Sequence, residues 1–174
     1  MAFTTAASGS SINGAGQLSA ASVNPDPWGL SYSSVHLMTT GVYEWSMTAL
    51  SLTPNTANSW EYILGMVPTT QLSGATPYSD VYGFVGETGA CNPSLSTYTI
   101  DCASHPRPSD RAVNVGDTAY FKFDGVQNKL FLREPLSSET APYVLLLQNV
   151  PSTGSYVALS HIAISTWELK WRPP

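Results

Sequence analysis

Cys91 and Cys102, followed by His105, are residue types that could hold a metal ion. Thiolate sulfur and imidazole nitrogen are zinc ligands, but this spacing matches no paired-ligand motif and no fourth ligand is evident. The same cysteines also read as two free thiols, or as a disulfide closing the segment between them. Such a bond would add about 2–3 kcal/mol in an oxidising compartment.

Other groupings are plainer still. A nucleophile–histidine–acid set can be drawn from the many serines with His36, His105 or His161 and Asp101, Asp110 or Asp117. No Gly-x-Ser-x-Gly elbow accompanies it, and serines this numerous fall beside histidines by chance. His161 reads as a satisfied sheet histidine and His105 as an exposed loop residue. Glu44 and Glu61 fall on strands read as neighbours, where a glycosidase would need two carboxyls about 5–10 Å apart in a cleft. Asp101, Asp110, Asp117 and Asp124 offer oxygen to a hard cation, but the Asp-x-Asp-x-Asp pattern is missing. Aspartates at hairpin ends are the simpler account. The reading is therefore non-catalytic, with no cofactor. Aromatic residues are the better lead, because aromatics and arginine carry the energetic centres of protein interfaces. Tyr62, Tyr78, Tyr98 and Tyr120, with Trp60, are expected on or beside loops or on faces turned from the core. They serve equally as filling for a sandwich.

Composition narrows the partners. Charged residues make up 11% and hydrophobic residues 43%, so Ser, Thr, Asn and Gln must supply much of the polar surface, as in β-rich and assembly proteins. The net charge of -5, with seven scattered basic residues, argues against a nucleic-acid footprint. No apolar run reaches the roughly 20 residues that span a bilayer. The amino end lacks the basic start and apolar core of a secretion signal. The expectation is an intracellular or virion-associated protein.

The elements that must position these residues are strands. Residues 116–134 form the clearest unit: Ala119, Phe121 and Phe123 alternate against Thr118, Tyr120 and Lys122, then Leu130 and Leu132 against Lys129, Phe131 and Arg133. Asp124-Gly125 is expected to supply the positive φ of the turn, with Asn128 helping to close it. Further strands are expected at 31–39, at 42–50 with Tyr43, Trp45, Met47 and Ala49 on one face, at 60–67, at 81–86 and at 97–100. The 42–50 and 60–67 strands read as an antiparallel pair. Residues 143–147 are apolar on both parities and read as an interior strand covered on both faces. Residues 156–171 change parity near Ser165-Thr166, which calls for a bulge or bend. Residues 1–24, rich in Ala, Ser, Thr and Gly, read as a flexible arm preceding a β-sandwich domain at 25–174. The fold class is all-β, an antiparallel sandwich or jelly roll.

Three ordered features resemble the SPRY (B30.2-like) domain. Thr40-Gly41-Val42-Tyr43-Glu44-Trp45-Ser46 is similar to the family's Ser-Gly-Lys-x-Tyr-Trp-Glu-Val strand, with the Trp and Glu exchanged. Residues 60–67 and 82–89 are similar to the strands that follow it. Residues 115–124 with 129–133 resemble its Gly-Asp-x-Ile-x-Val-x-Leu-Asp strand and partner, although Arg133-Glu134-Pro135 stands where Asn-Gly is usual. The resemblance spans roughly residues 28–165. It implies a non-catalytic protein-recognition module whose binding surface is built from loops at one edge, here 69–79, 91–111 and 135–141. Within these, exposure and chemistry single out Tyr78, Tyr98 and Arg107. The alternative is a structural subunit of a virion or other assembly, binding copies of itself through low-charge faces with its arm on a neighbour. Carbohydrate binding on exposed Trp and Tyr is a third reading.

Overall fold

The computed structural model describes residues 2–21, 29–37, 40–53, 62–72, 81–88, 111–150, 154–161 and 164–172. Two sheets pack face to face. One has six strands: β1 (Phe3–Thr5), β4 (Gly29–Leu37), β12 (Ser155–His161), β6 (Tyr62–Pro68), β7 (Tyr82–Thr88) and β8 (Arg111–Val113), in that spatial order. The other has seven: β11 (Tyr143–Gln148), β10 (Lys129–Arg133), β9 (Thr118–Asp124), β5 (Val42–Leu52), β13 (Ser165–Arg172), β3 (Leu18–Ala20) and β2 (Ser11–Ile12). All pairings are antiparallel except β7 with β8. A single 3₁₀ turn, Thr69–Gln71, is the sole helical element among the described residues. The expected all-β sandwich is therefore present.

Alternation dictates what fills the space between the sheets. From the seven-stranded sheet come Trp45, Met47 and Ala49, then Ala119, Phe121 and Phe123, then Leu130, Leu132, Trp167 and Leu169, all buried. Trp45 stacks on Phe121 with ring centroids 5.2 Å apart, and Phe84 of the opposite sheet stacks on Phe121 at 5.9 Å. Phe121 thus joins the layers. The hairpin at 116–134 is as expected except in its turn. Asn128 holds the left-handed backbone (φ 52°), while Asp124 Oδ1 accepts from the Gln127 amide at 3.0 Å. Asparagine tolerates that conformation because its short polar side chain bonds locally.

Several expectations are corrected. The 42–50 and 60–67 strands do not pair, since β5 lies in the seven-stranded sheet and β6 in the other. β5 pairs instead with β9 and β13 far along the chain, and β6 with β7, the next strand, and with the distant β12. Residues 143–147 are not interior: among the described strands β11 lies at the edge of its sheet. Its double-parity pattern comes from a bulge, because Leu147 pairs with Leu130 and Leu145 with Phe131, leaving Leu146 extra. The bulge turns Leu146 and Leu147 both inward. The strand covered on both faces is β6, whose Tyr62, Leu64 and Met66 face the main core. Ile63 and Val67 join a second cluster with Leu30, Val81 and Ala158. Gly65 and Gly83 pair directly between β6 and β7, so close that a Cβ on Gly65 would lie 2.0 Å from the Tyr82 carbonyl oxygen. Residues 156–171 are not one bulged strand: β12 and β13 lie in different sheets, so the parity changes between them. Within β13, Ser165, Trp167 and Leu169 keep one buried face, and the register shift opposite Thr166 and Trp167 leaves Leu50 of β5 as the extra residue.

The opening residues are not a free arm. β1 pairs with β4 at the rim of one sheet, while β3 pairs with β13 and β2 with β3 at the rim of the other. Phe3, Leu18 and Ala20 are buried in the main core. Three apolar side chains suffice because the strands need only complete two sheets already built, so most of the ordering cost is offset by ladder bonds and shared burial.

Candidate recognition surface

The hairpin that supplies Phe121 and Phe123 to the core presents its other parity outward. The register sets one row across five strands: Leu145 (β11), Phe131 (β10), Lys122 (β9), Glu44 (β5) and Arg172 (β13). Beside it lie Tyr143, opposite Arg133, and Tyr120, opposite Ser46. Lys129 and Lys170 share this face by the same alternation. Five of the seven basic residues are thus gathered on one side of an acidic protein, correcting the reading that they are scattered. The signal was present in the outward parity of the hairpin, but β13 joins it only through the fold.

Tyr143 organises the patch. Its hydroxyl donates to Glu44 Oε2 at 2.9 Å, reaching over β10 and β9 to do so. The Arg133 guanidinium sits 4.1 Å from the ring centroid, and the Lys122 ammonium 5.8 Å from both the Tyr143 and Phe131 rings. Contacts of this kind contribute roughly 0.5–1 kcal/mol each where solvent is near. Burial, together with the Glu44 carboxylate, pushes the Tyr143 hydroxyl up to about 12, with Arg133 opposing. Arg172 lies 4.9 Å over the Tyr120 ring and bonds Glu139. The outer rings are therefore held by cations where the inner ones are held by rings.

Segment 135–141 folds onto this end of the sheet. Ser137 exchanges bonds with Thr118, accepting from its amide at 3.0 Å and donating its own amide to the Thr118 carbonyl at 2.8 Å. Ser137 Oγ donates to Asp117 Oδ1 at 2.9 Å, and Arg133 donates to the Ala141 carbonyl. Asp117 and Asp124 act as turn caps. Tyr62, expected to be exposed, is buried with its ring edge against Trp167, 5.2 Å between centroids. It lies on the parity of β6 that faces the core. Tyr120 is half-buried on the outer face as expected. Tyr78, Tyr98, Arg107, Trp60, Glu61, Cys91, Cys102, His105, Asp101 and Asp110 lie outside the described residues, as does the expected strand at 97–100.

The described residues bring one serine near a histidine. Ser31 Oγ lies 3.5 Å from His161 Nε2 and accepts from the Ala7 amide at 3.0 Å. Both side chains are fully buried, and a Cβ on Gly29 would lie 2.8 Å from the imidazole. Burial pushes His161 down to about 4, with the Ala21 backbone opposing. The opening segment thus reaches this pair at two points, the Ala7 amide at Ser31 and the Ala21 backbone at His161. The pair is enclosed and joins β4 to β12.

No protein-family model matches the chain. No curated protein matches it either. Among solved structures, the SPRY domain of human HERC1 superposes with a TM-score of 0.64 at 11% identity, covering 99% of both chains. Peanut lectin, solved with a 9mer peptide, gives 0.51 at 9% identity, covering 99% of this chain and 93% of the lectin. Winged bean acidic lectin, complexed with methyl-α-D-galactose, gives 0.50 at 12% identity, covering 98% and 92%. The chain has the two-sheet fold that these proteins share, and it resembles the SPRY domain over its full length.

Proposed function

We propose that this protein is a non-catalytic recognition module that binds another protein. The observation that supports it is the outer face of the seven-stranded sheet. There Tyr143, Phe131, Tyr120, Arg133, Lys122 and Arg172 interleave on a rigid support. Half-buried aromatics beside guanidinium groups can contribute much of the energy of an interface at little ordering cost. Tyr78, Tyr98 and Arg107 are proposed as further contacts, from the segments at 69–79 and 91–111.

The assembly reading drew on low charge, a hydroxyl-rich surface and an arm free to reach a neighbour, and it loses the last of these because strands within residues 3–20 pair with this chain's own sheets. The lectins' fold keeps a sugar-binding reading as the competitor. Cross-linked capture from a cell lysate, followed by titration of the recovered partner, separates them. Tyr78→Ala, Tyr98→Ala and Arg107→Ala together should weaken binding roughly tenfold or more with the thermal midpoint unchanged. Saturable binding on a glycan array, with no protein partner recovered, would replace this reading by the sugar one.

A further inference from the structure

The four sheet edges differ in kind. Among the described residues β1 and β8 are three residues long and β2 is two, shorter than the strands that usually template another. β11 has six residues, Tyr143–Gln148, with no charge and no proline. Val144 and Leu145 on it are 37% and 50% exposed, and among the described residues no strand pairs with its outer side. Soluble proteins usually blunt such an edge with lysine, proline or brevity.

The charges beside this edge are incomplete. Lys122 contacts two rings and, among the described residues, no carboxylate. Arg133 is bonded to the Ala141 carbonyl, and its Nε is buried without a partner. Both cationic heads are drawn to the ring of Tyr143, a residue of the edge strand itself. Glu44, the carboxylate that reaches Tyr143, is engaged by its hydroxyl.

We infer that the free edge of β11 receives an extended acidic segment of a partner protein as an added strand. Its main chain would pair with β11, and a Glu or Asp side chain beside Tyr143 would meet Arg133 and Lys122. Apolar side chains would cover Val144 and Leu145. Added strands take affinity from ladder hydrogen bonds and specificity from alternate side chains. A second copy of this chain is the poorer occupant, because its β11, Tyr143–Gln148, carries no acidic side chain to meet Arg133 and Lys122. The inference rests on the protein-recognition reading and names the mode and the chemistry of the partner.

Selection of a random-peptide display library on the whole protein tests it, with Leu145→Asp and Arg133→Ala as counter-targets. Circular dichroism and thermal unfolding establish that both variants are folded. Selected peptides should be rich in Asp and Glu alternating with apolar residues. They should slow amide exchange at residues 143–145 and bind Leu145→Asp at least roughly tenfold more weakly. Arg133→Lys should recover part of what Arg133→Ala loses, and added salt should weaken binding. Three outcomes overturn the edge assignment: peptides without acidic enrichment, affinity unchanged in both variants, or a dimer abolished by Leu145→Asp. Peptides lost instead on the Tyr78, Tyr98 and Arg107 substitutions would leave protein recognition standing and remove the edge. Enrichment of no peptide, with glycans bound, would remove both.

Discussion

The two faces of the seven-stranded sheet use the same residue types to opposite ends. On the inner face Trp45 and Phe121 stack on one another and Phe84 completes the stack from the facing sheet. On the outer face Tyr143 and Phe131 are equally aromatic but are held by Arg133, Lys122 and a tyrosine–carboxylate bond. Rings removed from water by other rings contribute to stability through burial. Rings covered by cations at the surface keep an area that a partner can dehydrate. One hairpin, β9–β10, serves both, because alternate residues of a strand face opposite ways.

The contrast has measurable consequences. Phe121→Ala should cost about 3–5 kcal/mol in denaturant unfolding, the usual loss for a buried phenylalanine. Phe131→Ala, its counterpart on the outer face, should cost about 1 kcal/mol or less. Similar losses at the two sites would break the distinction.

The enclosed histidine sharpens it further. His161 has a folded-state value of about 4 against an ordinary 6.5, lowered by burial. Between these values the unfolded chain binds the proton and the folded one does not. Stability is therefore full above about pH 6.5 and declines as pH falls toward 4, by about 3 kcal/mol in all. Urea titrations across that range should show the decline, and His161→Gln should flatten it. Wild type and variant with the same slope would place the acid sensitivity elsewhere.

The smallest effect belongs to the outer face. Tyr143 has its hydroxyl raised from 10 to about 12, so its contribution is present below pH 10 and is lost as pH rises through the folded value. Absorbance titration of phenolate should show a late-ionising component, and Glu44→Gln should bring part of it back toward 10. An unchanged titration in the variant would mean that burial alone sets the shift.

How far these features were legible depends on the range of the interactions that make them. The hairpin was readable because its strands are adjacent, so that the inward Phe121, Phe123, Leu130 and Leu132 sit in one short window. The double-parity run at 143–147 was misread for the same reason. A bulge and full burial leave the same local pattern, and only the pairing with β10 tells them apart. Tyr62 and the segment at 2–21 were misjudged because burial there is conferred by distant strands, β13 for Leu18 and the opposite sheet for Tyr62. The outward cations of the hairpin were legible in principle. Their companions on β13 were not.

The order of amino acids by itself determined that this chain forms strands, which side of each central strand is apolar, and that Phe121 and Phe123 lie between two layers. These follow from a two-residue period and steric preference, which act within a few residues. The tertiary structure alone decided that β5 and β6 belong to different sheets, that the opening residues complete both rims, and that β11 lies at an edge beside Arg133 and Lys122. Those outcomes turn on pairings between residues far apart in the chain. Such pairings are chosen by the summed free energy of two whole sheets closing on one core, which no local window contains.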